Sequence, residues 1–186
     1  MKRYLLLLLV LTLSFAATFA ADESTITIKT SKPVGTSVSL DAYTSSKDEA
    51  FTVDWGDGEE KIYNIDPNGW GYSRRINTEI KGGTITIKGK LVNLDLTQAG
   101  ITSIELHGQT AMKVINLKEN EIATFAQDGM PALTELNLRD NKLTKFMGTG
   151  MTSLKTLNLQ GNQLDSHELD ITDASATLTE LNVSDN

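Results

Sequence analysis

The chain has 186 residues, enough for one ordinary domain or two small ones, and 39% of them are apolar, so a sizeable core can be buried. Twenty-four Asp and Glu against 17 Lys and Arg give a formal charge of −7 at pH 7, a balance that repels nucleic acid and anionic lipid. There is no cysteine, which excludes disulfide stapling, thiolate metal sites and a cysteine nucleophile.

The first twenty residues, MKRYLLLLLVLTLSFAATFA, place Lys2 and Arg3 before an apolar run that ends in small residues. That is the order of a secretory signal peptide, with cleavage expected after Ala20, and the run is short for crossing a bilayer. No Cys follows it to accept a lipid anchor. Loss of Lys2 and Arg3 with the signal takes the charge from −7 to −9. An exported chain of this size without disulfides points to a bacterial source, secreted or at the cell surface and outer-membrane associated.

Residues 21–89 read as a small antiparallel β domain. STITIKT, SVSLDAY, AFTVDW, EKIYNI and TITIKG alternate apolar with polar residues, are rich in β-branched side chains, and are separated by Gly, Pro, Asp and Ser clusters. GTITIKG, 83–89, runs straight into the first leucines and is expected to serve as the cap that a repeat array needs. Within VDWGDGEE, Gly56-Asp57-Gly58 suits a tight turn, while Asp54, Asp57, Glu59 and Glu60 crowd enough carboxylates to raise a calcium site as the alternative. The turn is the preferred reading, because the spacing lacks the D-x-D-x-D-G ligand ladder. Trp55, Gly56, Asp57 and Gly58 are similar to the W-x-G-D-G stretch of bacterial polycystic-kidney-disease-type (PKD) immunoglobulin-like domains. The PNGWGY turn offers Trp70 and Tyr72 as an alternative contact site.

From residue 90 to 186 one spacing recurs: Leu91-Leu94-Leu96, Met112-Ile115-Leu117, Leu133-Leu136-Leu138, Leu154-Leu157-Leu159 and Leu178-Leu181-Val183. The starts are 21, 21, 21 and 24 residues apart, and four of the five units carry an Asn three positions on: Asn120, Asn141, Asn162 and Asn186. This resembles the short leucine-rich repeat, L-x-x-L-x-L-x-x-N, in about five copies with the last incomplete. The resemblance implies a solenoid with a parallel sheet on its concave face and an asparagine ladder satisfying backbone groups between coils. The return segments hold further apolar columns at Ile101, Ile122, Leu143 and Leu164, and at Ile104, Phe125 and Phe146. They are interrupted by glycines and too short for a regular helix, so extended or 3₁₀ backbone is expected there. The fourth return is three residues longer and should loop out at His167, with Leu169 or Ile171 taking the vacant core position. Because the pattern stops inside a repeat, the array is expected to continue beyond Asn186.

No nucleophile elbow, zinc-protease, P-loop or dinucleotide motif is present, and His107 and His167 fall in return segments, so no catalytic residue, metal or cofactor is expected. Binding is the better prospect. Side chains between the repeat leucines should face outward in columns. The central column is Asp95, Asn116, Asn137, Asn158 and Asn182; Glu135 and Thr156 stand in the column before it, and Lys118, Arg139 and Gln160 in the column after. Signal, β segment and short repeats together are similar to internalin-type surface proteins of bacteria. That resemblance implies noncatalytic adhesion or recognition of a protein or glycan at a cell surface, without nucleic acid or membrane insertion. The alternatives are a targeting or spacer region of a larger secreted enzyme, surface layer or biofilm protein.

Overall fold

The computed structural model describes residues 24–65, 72–165 and 167–186; the expected signal peptide and Trp70 lie outside the described residues. The N-terminal part contributes β1 (Thr25–Thr30), β2 (Ser37–Tyr43), β3 (Ala50–Asp54), β4 (Glu60–Asn64), β5 (Ser73–Glu79) and β6 (Thr84–Lys88). The coils contribute β7 (Asn93–Asp95), β8 (Ile101–His107), β9 (Val114–Asn116), β10 (Thr124–Gln127), β11 (Glu135–Asn137), β12 (Phe146–Met147), β13 (Thr156–Asn158), β14 (Leu169–Asp170) and β15 (Glu180–Asn182). Among the described residues the helical content is one 3₁₀ turn, Thr172–Ala174. The result is a β-solenoid of stacked coils.

The repeat spacing becomes intelligible coil by coil. Each repeat makes a three-residue strand, and β7, β9, β11, β13 and β15 pair in parallel with Leu94, Ile115, Leu136, Leu157 and Leu181 in one register row. Alternation sends that row inward together with the leucines two positions on, and the residues between them outward. Leu94, Ile115, Leu136, Leu157, Leu138 and Leu159 are buried, so neighbouring coils share a core that one coil could not enclose.

After the strand the chain must bend. The residue at this bend adopts left-handed backbone in every coil: Gln98, ahead of Ala99, and Glu119, Asp140 and Asp185, each ahead of a ladder Asn, have φ of 57°, 57°, 54° and 58°, and Gly161, ahead of Asn162, has 68°. Such a φ is unfavourable for a side-chain-bearing residue unless its surroundings hold it. The asparagines supply that hold. Asn141 Nδ2 donates to the carbonyls of Leu117 at 3.0 Å and Leu138 at 2.9 Å, while its Oδ1 accepts the Ile122 amide at 2.9 Å. Asn120 and Asn162 repeat this arrangement, and Asn186 continues it onto the Leu159 carbonyl and the Leu164 amide, both at 3.0 Å.

The return segments are extended, as β8, β10, β12 and β14. β8 and β10 pair in parallel, which stacks Ile104 on Phe125, and Phe125 lies against Phe146 with ring centroids 6.1 Å apart. β12 pairs with β14 apart from that sheet, and Gln127 spans the gap by donating to the Thr149 carbonyl at 2.8 Å. In the longer fourth return His167 is exposed, Leu169 stands opposite Phe146, and Leu169 and Ile171 pack half-buried against the core.

The N-terminal strands prolong both sheets of the coils. One sheet has the order β15-β13-β11-β9-β7-β2-β5 and the other β10-β8-β1-β6-β3-β4, and one cluster of buried residues runs through both parts from Ile26 to Ala174. Two sequence expectations change. The strands joined to the first coil are β2, antiparallel to β7, and β1, antiparallel to β8; the 84–88 strand expected to cap the array lies inside the second sheet between β1 and β3. β5 was not among the expected strands. Its sequence SRRINTE turns only Ile76 fully into the core, so alternation is too sparse to read, and pairing along all of β2 makes it a strand.

Two predictions concern this scaffold. Leu136→Ala or Leu157→Ala should lower unfolding free energy by about 2 to 5 kcal/mol in denaturant titration, the cost of a cavity in a closed core. Asn141→Ala, which removes less apolar volume, should still cost about 2 to 4 kcal/mol because two carbonyls and an amide lose their partner away from water. A loss below ~0.5 kcal/mol would show that solvent replaces the carboxamide there.

Candidate functional site

The outer face of the seven-stranded sheet carries the columns read from the sequence. Strand register aligns Asp95, Asn116, Asn137, Asn158 and Asn182 in one row and Asn93, Val114, Glu135, Thr156 and Glu180 in the next. Lys118, Arg139 and Gln160 follow one residue past the strand ends. A shallow open groove is lined by Asp95, Val114, Asn116, Glu135, Asn137, Thr156 and Asn158, so six of the nine expected contact positions line it, and Lys118, Arg139 and Gln160 follow past the ends of its strands. Tyr72 is exposed immediately before β5 and does not line this groove.

The central carboxamides are fixed in orientation. The oxygens of Asn137, Asn158 and Asn182 accept the amides two residues on, from Arg139, Gln160 and Ser184, each at 3.1 Å. Asn116 Nδ2 donates to Asp95 Oδ2 at 2.8 Å and Asn182 Nδ2 to Gln160 Oε1 at 3.3 Å. The Nδ2 groups of Asn137 and Asn158 have no acceptor among the described residues and point to solvent as spare donors.

Three residues of this face were not legible before the fold was known. β2 and β5 lengthen the sheet, so Asp41 stands opposite Asp95, Tyr43 opposite Asn93, and Arg75 opposite Asp41. The Arg75 guanidinium grips the Asp41 carboxylate through two bonds of 2.7 and 2.6 Å, and this pairing holds its pKa above the ordinary arginine value. For Asp41 and Tyr43 the available signal was alternation in SVSLDAY, which marks them as outward without saying which sheet they join, and for Arg75, in β5, there was none.

The cations expected to contact a partner are already engaged. Lys118 Nζ lies 3.6 Å from Glu119 and Arg139 Nε 3.0 Å from Asp140, in each case the left-handed residue of its own coil. Glu135 and Glu180 have no ion pair or side-chain hydrogen bond among the described residues.

The carboxylate-rich turn at 54–60 is held by its own chain. Asp54 Oδ1 accepts the amides of Gly56 at 2.8 Å and Gly58 at 3.0 Å, Asp57 bonds to Lys81, and Glu60 pairs with Lys88. The Lys81 ammonium holds the Asp57 carboxyl below its usual value against an opposing desolvation effect. Trp55 beside this turn is buried and donates through Nε1 to Tyr63 Oη at 3.0 Å. The two histidines sit by carboxylates in exposed positions, His107 near Asp128 at 3.5 Å and His167 near Asp165 at 2.9 Å.

A family model described as leucine rich repeat matches residues 150–166, which hold the Leu154-Leu157-Leu159 row, strand β13 and Asn162 of the fourth repeat. Comparison with curated proteins and with solved structures gives no match. The matched segment and the stacked coils together support a repeat protein of leucine-rich type.

The glycines of the turn give a local prediction. A Cβ on Gly56, where φ is +106°, would stand 2.5 Å from the Gly82 backbone, whereas a Cβ on Gly58, at φ +79°, meets nothing within 4 Å. Gly58→Ala should therefore cost about 1 kcal/mol of backbone strain and Gly56→Ala at least ~2 kcal/mol more in thermal unfolding. Equal effects would mean the close approach to Gly82 relaxes freely.

Proposed function

We propose that this chain is an exported, noncatalytic recognition protein that binds a protein or glycan partner at a cell surface through the open face of its seven-stranded sheet. A leucine-rich-type repeat array favours a protein-interaction role. The observation that carries the reading is the register of the seven strands. It holds outward side chains in straight columns that the chain's own packing does not consume, with spare amide donors and unpaired carboxylates at the centre. An ordered polar surface of this kind is costly to immobilise on binding only for the partner, since its own side chains are already oriented.

Export rests on the charged, apolar and small-residue order of the first twenty residues. The array's resemblance to internalin-type surface proteins, and the resemblance of the Trp55–Gly58 turn to PKD-type domains, support placement at a bacterial cell surface. The noncatalytic reading rests on chemistry: the two histidines lie in return segments beside exposed carboxylates, and the carboxylates of Asp54, Asp57 and Glu60 are held by amides and lysines.

The reading is tested by affinity capture from host-cell and bacterial surface extracts with the mature protein and a Val114→Arg/Thr156→Arg variant, whose two long side chains project from one column of the groove on either side of Glu135. Capture by the unmodified protein alone, with a folded variant verified by circular dichroism, is the expected result. Equal capture by both would remove the face from recognition, and capture by neither would favour a spacer.

A further inference from the structure

We infer that the partner of this face is cationic, a protein segment that presents lysine or arginine side chains in an extended run. The inference rests on the recognition reading above and assigns it a partner chemistry. The outward residues within the seven strands include five carboxylates, Asp41, Glu79, Asp95, Glu135 and Glu180, and one cation, Arg75, whose guanidinium is already bound to Asp41. Arg74, its neighbour on β5, pairs with buried Ala42 and belongs to the opposite face. Past the strand ends, Lys118 and Arg139 are neutralised by Glu119 and Asp140. Ahead of the strands, Lys113 and Lys155 stand on the opposite rim and reduce the negative balance without reversing it.

Geometry narrows the class further. Glu135 and Glu180 share a column with Thr156 between them, so their strands are two steps apart, about 10 Å at ordinary sheet spacing. On an extended chain of polyproline II form, with three residues per turn and ~3.1 Å rise, cations three residues apart lie on one side and are separated by about 9 Å. Such a segment laid across the strands places its peptide carbonyls over the spare Nδ2 donors of Asn137 and Asn158 in the adjoining column. Tyr43 and Val114, in the same row as Glu135, provide apolar contact for lysine or arginine stems. Carboxylate–guanidinium pairing supplies directional bonds, and the acidic field raises the encounter rate.

The test uses the mature protein and fluorescence anisotropy with labelled oligolysine, oligoglutamate and an uncharged-backbone cationic glycan, an oligomer of glucosamine. Oligolysine should bind, weaken as salt is raised, and lose at least about tenfold in affinity in Glu135→Lys/Glu180→Lys. Glu59→Lys/Glu105→Lys, with the same change in net charge but placed on the 54–60 turn and on the second sheet, should change affinity by less than about twofold. Glu135→Gln/Glu180→Gln gives the same comparison without added repulsion should the reversed variant fold poorly. Equal losses in the two reversals would reduce the effect to whole-molecule charge and overturn the inference. Absent oligolysine binding, or tighter binding of the glucosamine oligomer, would overturn it as well. A captured partner that requires the face but lacks a basic surface would sink the cationic assignment and leave the recognition reading standing. Retention of that partner by Val114→Arg/Thr156→Arg would sink the recognition reading itself.

Discussion

Each coil has to leave its strand through a left-handed residue with its backbone groups still paired, and from the second coil on one asparagine carboxamide per coil meets that demand. Asn120, Asn141, Asn162 and Asn186 each link the carbonyls of two successive coils and the amide of a return segment. Because the bond crosses between coils, it fixes the rotation of one coil against the next as well as the bend within it. The leucine rows and the outward columns inherit their alignment from that fixed rotation. Apolar burial supplies most of the stabilisation, and the asparagines decide which stacking receives it.

The N-terminal strands solve the complementary problem at the first coil. A repeat end with inward leucines and free strand edges would expose both apolar surface and unpaired backbone. β2 covers the edge of β7 and β1 covers the edge of β8, so both sheets pass through the joint without a break. This continuity has a functional side. It extends the open face by two strands and brings Asp41, Tyr43 and Arg75 into line with columns that start in the repeats.

Charge on that face is arranged by the same coil geometry. The residue that bends the chain is Glu119 in one coil and Asp140 in the next, and each sits beside the basic residue that ends the outward row. The bend therefore consumes the positive charge that a reading of the columns alone would offer to a partner. Glu135 and Glu180, inside the strands, have no such neighbour among the described residues, and Asp41 alone of the strand carboxylates on this face is bound to a cation, Arg75. The face is acidic because of where its acids and bases fall relative to the bend, with overall composition playing the lesser part.

The repeat period, the inward leucines, the asparagine ladder and the outward columns all followed from the order of residues, since each depends on contacts between equivalent positions of adjacent coils. The turn at Gly56–Gly58 was legible for the same reason, being local: Asp54 reaches amides two and four residues ahead. Tertiary structure alone decided the rest. β5 carries too few inward apolar residues to announce itself, and it is a strand because β2 offers a full edge to pair with. The cap lies with β1 and β2 because pairing with β8 and β7 joins residues roughly 50 to 80 positions apart, a choice no local pattern records. The charge of the face divides between the two kinds: Lys118 and Arg139 pair with the residue next in sequence, whereas Arg75 meets Asp41, 34 positions away, because β5 pairs with β2.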